Sequence, residues 1–264
     1  MRLTKFHGLG NDFLVALAAD NPGLAPEPDR ARAVCDRRRG IGADGLILGL
    51  PAADPGRDVE MVLLNSDGSP AEISGNGIRC LAQALLREGT VEGPEVRVGT
   101  PAGTRLLTVV GGDPRDELWV DVDMGPAAEG PEPTAAARDF GASRLATVDV
   151  GNPHLVLLVD DPDEVDLAVD GPALEAGFPG GINVHFVRAD APDRLVLRVW
   201  ERGSGVTEAC GSGATAAVVA ATGWGVVEGR VEVEMAGGTA AVEVVDGHAH
   251  LIGPSRFVGE VVVP

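Results

Sequence analysis

A six-residue pattern occurs twice in this chain, and the spacing of its copies limits what the chain can fold into. Ala71-Glu72-Ile73-Ser74-Gly75-Asn76-Gly77-Ile78-Arg79 leads into one apolar stretch, and Thr207-Glu208-Ala209-Cys210-Gly211-Ser212-Gly213-Ala214-Thr215 leads into another. Both read Glu-apolar-(Ser/Cys)-Gly-(Asn/Ser)-Gly. Ser74 and Cys210 lie 136 positions apart in a chain of 264 residues. That period is too long for a solenoid, whose repeats run to roughly 20–50 residues. One α/β unit built twice, each copy with strands wrapped round one helix, accounts for it. The expected fold class is α/β (α+β) with two pseudo-symmetric halves, divided as residues 1–115 plus 254–264 and residues 116–253.

The local patterns agree with a strand-rich chain. Val59–Leu64, Glu95–Val98, Arg105–Val110, Leu118–Asp123, Leu155–Val159, Leu195–Trp200, Arg230–Met235, Thr239–Val245 and Phe257–Val263 are β-branched, alternating, or both. Short turns between them predict mainly antiparallel, strongly curved sheets. Helices are expected over Asp29–Arg38, Gly77–Glu88 and Gly213–Thr222. The last is apolar nearly all round, the mark of a helix enclosed by protein. Ala127–Ala137, rich in Pro, Ala and Glu, reads as a loop near the junction of the halves.

Composition excludes several functions. The net charge of −19 disfavours a nucleic-acid partner. No apolar run reaches the roughly 18 residues of a membrane span, and the N-terminus lacks the apolar core of a signal peptide. Three cysteines form no disulfide framework, so a reducing, cytoplasmic setting is expected. Lys5 is the single lysine, and it falls on the first expected strand. Pyridoxal phosphate needs a Schiff-base lysine, so pyridoxal chemistry is disfavoured and no cofactor is expected.

A Gly-x-Gly turn entering a helix presents unpaired backbone N–H groups and the positive end of the helix dipole, which suits a small anion. Neither copy has P-loop or Gly-x-Gly-x-x-Gly spacing, so a carboxylate fits better than a nucleotide phosphate; ordinary helix-entry turns are the alternative. Cys210, at a helix N-terminus, is expected to have a lowered thiol pKa and to react. Ser74 holds the matching place, where it would also serve as an N-cap. Cys35 and Cys80 read as buried apolar residues. Asn11, Asn65, Asn152 and Asn183 sit in turns or at strand ends. Glu201 and Arg202 close a strand just before the second Gly turn, and His154 follows Gly-Asn-Pro. The His248-Ala249-His250 pair lacks a third metal ligand and reads as surface, so no metal is expected. The acidic run Asp160–Asp166 reads as a solvated loop.

Together these segments resemble the diaminopimelate epimerase family, pyridoxal-independent amino-acid epimerases. The matching pieces are His7-Gly8-Leu9-Gly10-Asn11-Asp12-Phe13, Gly40-Ile41-Gly42-Ala43-Asp44-Gly45, Asn65-Ser66-Asp67-Gly68-Ser69, Gly75-Asn76-Gly77-Ile78-Arg79-Cys80, Gly151-Asn152-Pro153-His154, Asn183-Val184, Glu201-Arg202-Gly203 and Ala209-Cys210-Gly211-Ser212-Gly213. They run in family order over most of the chain. The resemblance implies two similar halves with the active site in the cleft between them, and inversion of the α-carbon of LL-diaminopimelate to the meso form by proton abstraction and reprotonation. By resemblance, Cys210 is one of two proton-transfer groups. Gly75, Asn76, Gly211 and Ser212 hold the reacting carboxylate. Asn11, Asn65, Asn152, Asn183, Glu201 and Arg202 grip the substrate, and His154 orients or polarises the thiol. The family often forms homodimers, although no apolar stripe in the sequence marks an interface.

The chain departs from the family at one place: Ser74 stands where the family has its second catalytic Cys. A hydroxyl is far less acidic than a thiol, and no neighbouring base in the sequence activates it. Cys80 lies six residues along the helix, over a turn and a half away, and the family carries a Cys there too. Three readings stand side by side. The chain is an engineered Cys→Ser form that binds without turnover, a natural variant with weak activity through Ser74 or water, or a relative with altered chemistry such as one-base isomerisation. Beside the impaired epimerase stand a racemase or isomerase of the same fold acting on another amino or imino acid, and a binding homologue.

Overall fold

The computed structural model describes residues 1–263. The chain forms two compact units, Met1–Asp123 with the segment from Ile252 onward, and Met124–Leu251.

The first unit opens with β1 (Arg2–Gly8) and β2 (Asn11–Leu17), followed by α1 (Pro28–Cys35), β3 (Gly45–Pro51), β4 (Val59–Asn65) and the two-residue β5 (Pro70–Ala71). The enclosed helix α2 (Gly75–Arg87) comes next, then β6 (Glu95–Thr100), β7 (Gly103–Gly112) and β8 (Glu117–Pro126). Most pairings are antiparallel: β1 with β2, β3 with β4, β4 with β5, β6 with β7, and β7 with β8. Two are parallel, β2 with β3 and β4 with β6. The helices α1 and α2 lie in these two crossovers, as parallel neighbours require.

The second unit repeats this plan. After β9 (Ala128–Glu129) and α3 (Ala135–Asp139) come β10 (Arg144–Asp149), β11 (Pro153–Leu158), α4 (Leu167–Glu175), β12 (Asn183–Ala191), β13 (Arg194–Glu201), β14 (Gly205–Thr207), α5 (Gly211–Gly223), β15 (Val231–Met235) and β16 (Gly238–Val245). The long β17 (His248–Val262) returns the chain to the first unit, where it pairs antiparallel with β1. The parallel pairs are β11 with β12 and β13 with β15, crossed over by α4 and α5.

Register makes the duplication concrete. Phe13 pairs with Gly45 where His154 pairs with Asn183. Leu46 faces Leu64 where Val184 faces Trp200. Leu63 faces Ala71 where Val199 faces Thr207. Three residues past Ala71 and Thr207 stand Ser74 and Cys210, each an N-cap. The halves are pseudo-symmetric down to single positions.

Each central helix is enclosed. Every residue of α2 from Gly75 to Leu85 is buried, and so is nearly all of α5 up to Ala221. The polar members of α2 are satisfied in place, as buried groups must be. Gln83 donates to the carbonyls of Pro114 (3.1 Å) and Asp116 (3.0 Å) and accepts from Ser255 (2.6 Å). Arg79, fully buried, donates to the carbonyls of Gly75 and Pro254 and to Asn76 Oδ1. Small residues let neighbouring strands pack closely round α5. Cys35 and Cys80 are buried, as their apolar setting predicts, and burial pushes their thiols up to about 12 and about 11.

The differences from the sequence reading have local causes. Helices α2 and α5 begin at Gly75 and Gly211, two residues earlier than expected, because the Ser74 and Cys210 side chains cap first turns whose weak helix formers conceal them in the sequence. Helix α1 stops at Cys35, where Asp36 turns the chain and its carboxylate accepts from the N–H groups of Arg38 and Arg39. The expected strand Phe257–Val263 is the end of the longer β17. The acidic run is not simply a solvated loop: Asp161 caps a 3₁₀ turn and pairs with Arg188 at 2.8 Å, while Asp163 pairs with Arg198 at 2.6 Å.

Helix α4 has no sequence signal, since Gly171-Pro172 sits in its middle. Gly171 is there for space: a Cβ would lie 2.5 Å from Trp200 Cγ, and the indole is held by its N–H to Glu175 at 2.7 Å. Gly171→Ala gains about 0.5–1 kcal/mol of helix propensity against an overpacking cost of about 1–3 kcal/mol. We expect a net loss of stability, read as a lower urea midpoint; a raised midpoint would show that the indole yields freely.

Candidate active site

In both units the residue before the enclosed helix is extended, and its side chain bends back over the first turn. Ser74 (φ −136°, ψ 118°) accepts from the Gly77 N–H through Oγ at 3.0 Å. Cys210 (φ −131°, ψ 111°) accepts from the Gly213 N–H through Sγ at 3.3 Å. Either side chain thus satisfies one of the N–H groups that a helix start leaves without an intrahelical acceptor. Gly75 and Asn76, and Gly211 and Ser212, form the rest of each first turn.

In the first unit a hydrogen-bonded line runs toward α2. Asn11 Nδ2 donates to Asp44 at 2.7 Å, and Asn76 Nδ2 donates to Asn11 Oδ1 at 3.2 Å. Arg79 donates to Asn76 Oδ1 at 2.6 Å, so both amides have fixed orientations. Asn65, at the end of β4, donates to Ser69 Oγ at 3.1 Å and is not part of this line.

The second unit gathers more of the expected residues. Asn183, at the start of β12, donates to the Pro153 carbonyl (3.0 Å) and accepts from the Arg202 N–H (3.0 Å). Its amide therefore ties the Asn152–His154 segment to the Glu201–Arg202 segment. His154 is fully buried, and both ring nitrogens are engaged, Nε2 with Asn152 Oδ1 at 2.9 Å and Nδ1 with His185 Nε2 at 2.7 Å. Burial, reinforced by His185 and Arg202, holds His154 well below the ordinary histidine range. Burial alone takes His185 down to about 3. Both rings are neutral at physiological pH.

The expected lowering of the Cys210 pKa is overturned. The thiol is buried, and burial pushes it well above its ordinary value. The Glu201 carboxylate adds to this by its charge and by accepting a hydrogen bond from the thiol. The Gly213 N–H and the Ser212 hydroxyl, 3.6 Å from Sγ, pull the other way and lose. A helix terminus is worth about 0.3–1 kcal/mol to a nearby charge, up to about 2 when partly buried. Burial of an ion costs several kcal/mol. Cys210 therefore rests as a thiol beside the Glu201 carboxylate. Glu201 is itself fixed by Thr207, which donates to it at 2.5 Å.

Three participants were not singled out from sequence. Asp44 and Thr207 carry no sequence signal beyond the segments they belong to. His185 lies two residues after Asn183, a spacing that puts both on one side of a strand; that alternation is the one signal that could have found it.

This architecture is shared with a solved structure, a probable proline racemase from Agrobacterium radiobacter K84. The TM-score is 0.75 over 100% of this chain and 92% of that one, at 20% identity, a likeness of fold. The two proteins belong to one class by fold. The profile of the diaminopimelate epimerase family matches residues 3–129 and 146–258. The diaminopimelate epimerase of Pelotomaculum thermopropionicum is 39% identical over 284 residues, covering 98% of each chain. That of Gloeothece citriformis is 41% identical over 282 residues, covering 98% of this chain and 97% of the relative. The chain belongs to the diaminopimelate epimerase family.

The electrostatic reading of Cys210 has a direct check. Glu201→Gln removes the charge that holds the thiol protonated, so the thiol pKa should fall. The measurement is thiolate absorbance against pH, taken as the difference from a Cys210→Ser protein. An unchanged or higher pKa would mean that Glu201 does not act on the thiol.

Proposed function

We propose that this protein catalyses cofactor-independent epimerisation of LL-diaminopimelate to the meso form, with turnover limited by Ser74. Family membership over nearly the whole chain carries the reading. The matching N-cap places of Ser74 and Cys210 support the assignment of the two proton-transfer positions.

The chemistry explains why such a site is built from helix starts. An α-proton beside an ammonium and a carboxylate is very weakly acidic. With no electron sink, the developing carbanion is stabilised by fixed dipoles in a water-poor site. Gly75, Asn76, Gly211 and Ser212 supply N–H groups to the reacting carboxylate. Asn11, Asn65, Asn152, Asn183, Glu201 and Arg202 take the remaining polar groups of the substrate, including its distal amino-acid end, and His154 orients this set. Inversion needs a base on one face of the carbon and an acid on the other. Cys210 passes its proton to Glu201 to become the base and regains one to become the acid.

Ser74 is the weak partner. Its alkoxide is not populated near neutral pH, so it cannot remove the α-proton. As a hydroxyl, or through a water, it can still give a proton to a carbanion. Activity then rests on Cys210 as the one competent base.

Pyridoxal independence is supported by Lys5, whose ammonium lies 2.7 Å from Asp12 and donates to the Gly42 carbonyl at 2.7 Å. A lysine held in this way is not offered to an aldehyde. Among the described residues no helix is long and apolar enough to cross a membrane. We place the protein in lysine and amino-acid biosynthesis in the cytoplasm, acting on the small molecule diaminopimelate, as a homodimer.

Exchange of the α-proton with solvent deuterium on LL- and meso-diaminopimelate is the test. Ser74→Cys should raise turnover by orders of magnitude, about 100-fold or more, the range expected when an acid–base group is restored. Equal turnover in the two proteins would refute the two-thiol account. Tight binding without exchange in either would make the chain a binding homologue.

A further inference from the structure

His185 is buried, lies at hydrogen-bond distance from His154, and is assigned no part in the chemistry above. We propose that it is a positioning residue for the reaction: its Nε2–H donates to His154 Nδ1, fixing His154 as the Nε2–H tautomer and turning the Asn152 amide so that its NH2 group is left for the substrate. The proposal rests on the function assigned above for its catalytic meaning, but not for its geometry.

The hydrogen-bond line allows two proton arrangements. In the first, His185 Nε2–H donates to His154 Nδ1, and His154 Nε2–H donates to Asn152 Oδ1. In the second every donor is reversed and the Asn152 amide is flipped. His185 Nδ1 discriminates between them, because it is buried with no hydrogen-bond partner. The first arrangement leaves a lone pair there; the second leaves an N–H. A buried orphan N–H is the rarer and costlier of the two. The surroundings favour the lone pair as well. The ring is pressed against Gly213 in the first turn of α5, where a Cβ would lie 2.3 Å from its Cε1 and 2.8 Å from its Nδ1. The positive end of a helix dipole stabilises a lone pair and opposes an N–H.

The first unit supplies an internal control. By register, Phe13 and Ile47 occupy the places of His154 and His185, and both are buried. Ile47 packs on Gly77 as His185 packs on Gly213, with Cδ1 3.0 Å from the Cβ site. The fold is thus satisfied by two apolar side chains at this place. A buried imidazole pair with one unsatisfied nitrogen is a cost that packing does not require. It touches the Gly213 whose N–H holds Cys210, and it holds the histidine that sets Asn152.

The test is long-range 15N–1H correlation on histidine-labelled protein, with exchange kinetics in a Ser74→Cys background. Wild-type His154 should show one tautomer, Nε2 protonated and Nδ1 bare. His185→Gln, which keeps a donor near the position of Nε2, should retain that pattern. His185→Ile, the residue of the other half, should lose it while remaining folded. If His185→Ile does not fold, His185→Asn, whose shorter amide cannot reach His154, replaces it. kcat/KM should fall roughly 10-fold to 100-fold in the donor-less variant, as for misplacement of a substrate-holding group, and Gln should restore most of it. A wild-type Nδ1–H tautomer, or a His154 spectrum indifferent to the donor-less variant, overturns the proposal. So does a correct spectrum with kcat/KM unchanged in that variant. An inert Ser74→Cys protein that still shows the tautomer response refutes the reaction assigned above and leaves the His185–His154 link standing.

Discussion

A helix enclosed by protein on every side must settle its first N–H groups without water, and that requirement organises both halves of this molecule. Helices α2 and α5 are buried through their first turns. Their start must therefore be capped by the preceding side chain or by a ligand. The cap takes one N–H, at Gly77 or Gly213. The rest of each turn offers N–H groups of the kind that suit an anion. Ser74 and Cys210 hold equivalent places, each as the cap of its helix.

Burial and helix dipole pull the Cys210 thiol in opposite directions, and burial wins. The local sequence shows the dipole, since a Cys before a Gly-x-Gly turn announces a helix N-terminus. It does not show the depth at which that terminus lies, nor that Glu201, nine residues earlier, brings a negative charge to the sulfur. The thiol therefore carries its proton, with the Glu201 carboxylate beside it.

What could be read ahead of the structure was whatever is encoded within a few residues. The repeated Glu-x-(Ser/Cys)-Gly-x-Gly segments, the enclosed helices after them and the β-branched strands all have local signatures, and the family resemblance followed from short motifs in order. What escaped depends on neighbours distant in sequence. Helix α4 exists because Gly171 leaves room for Trp200, a packing fact that overrides the propensity of Gly-Pro. The tie from Asn183 to Pro153 and the His154–His185 pair arise from the parallel pairing of β11 with β12, and the tie from Asn183 to Arg202 from the antiparallel pairing of β12 with β13. No inspection of either strand alone supplies them.

The shared capping geometry separates folding from chemistry. A serine hydroxyl is among the best helix caps, so Ser74 settles the start of α2 as Cys210 settles that of α5. An exchange of hydroxyl and thiol at such a place spares the architecture, and its effect falls on the reactivity of the position rather than on the lifetime of the polypeptide.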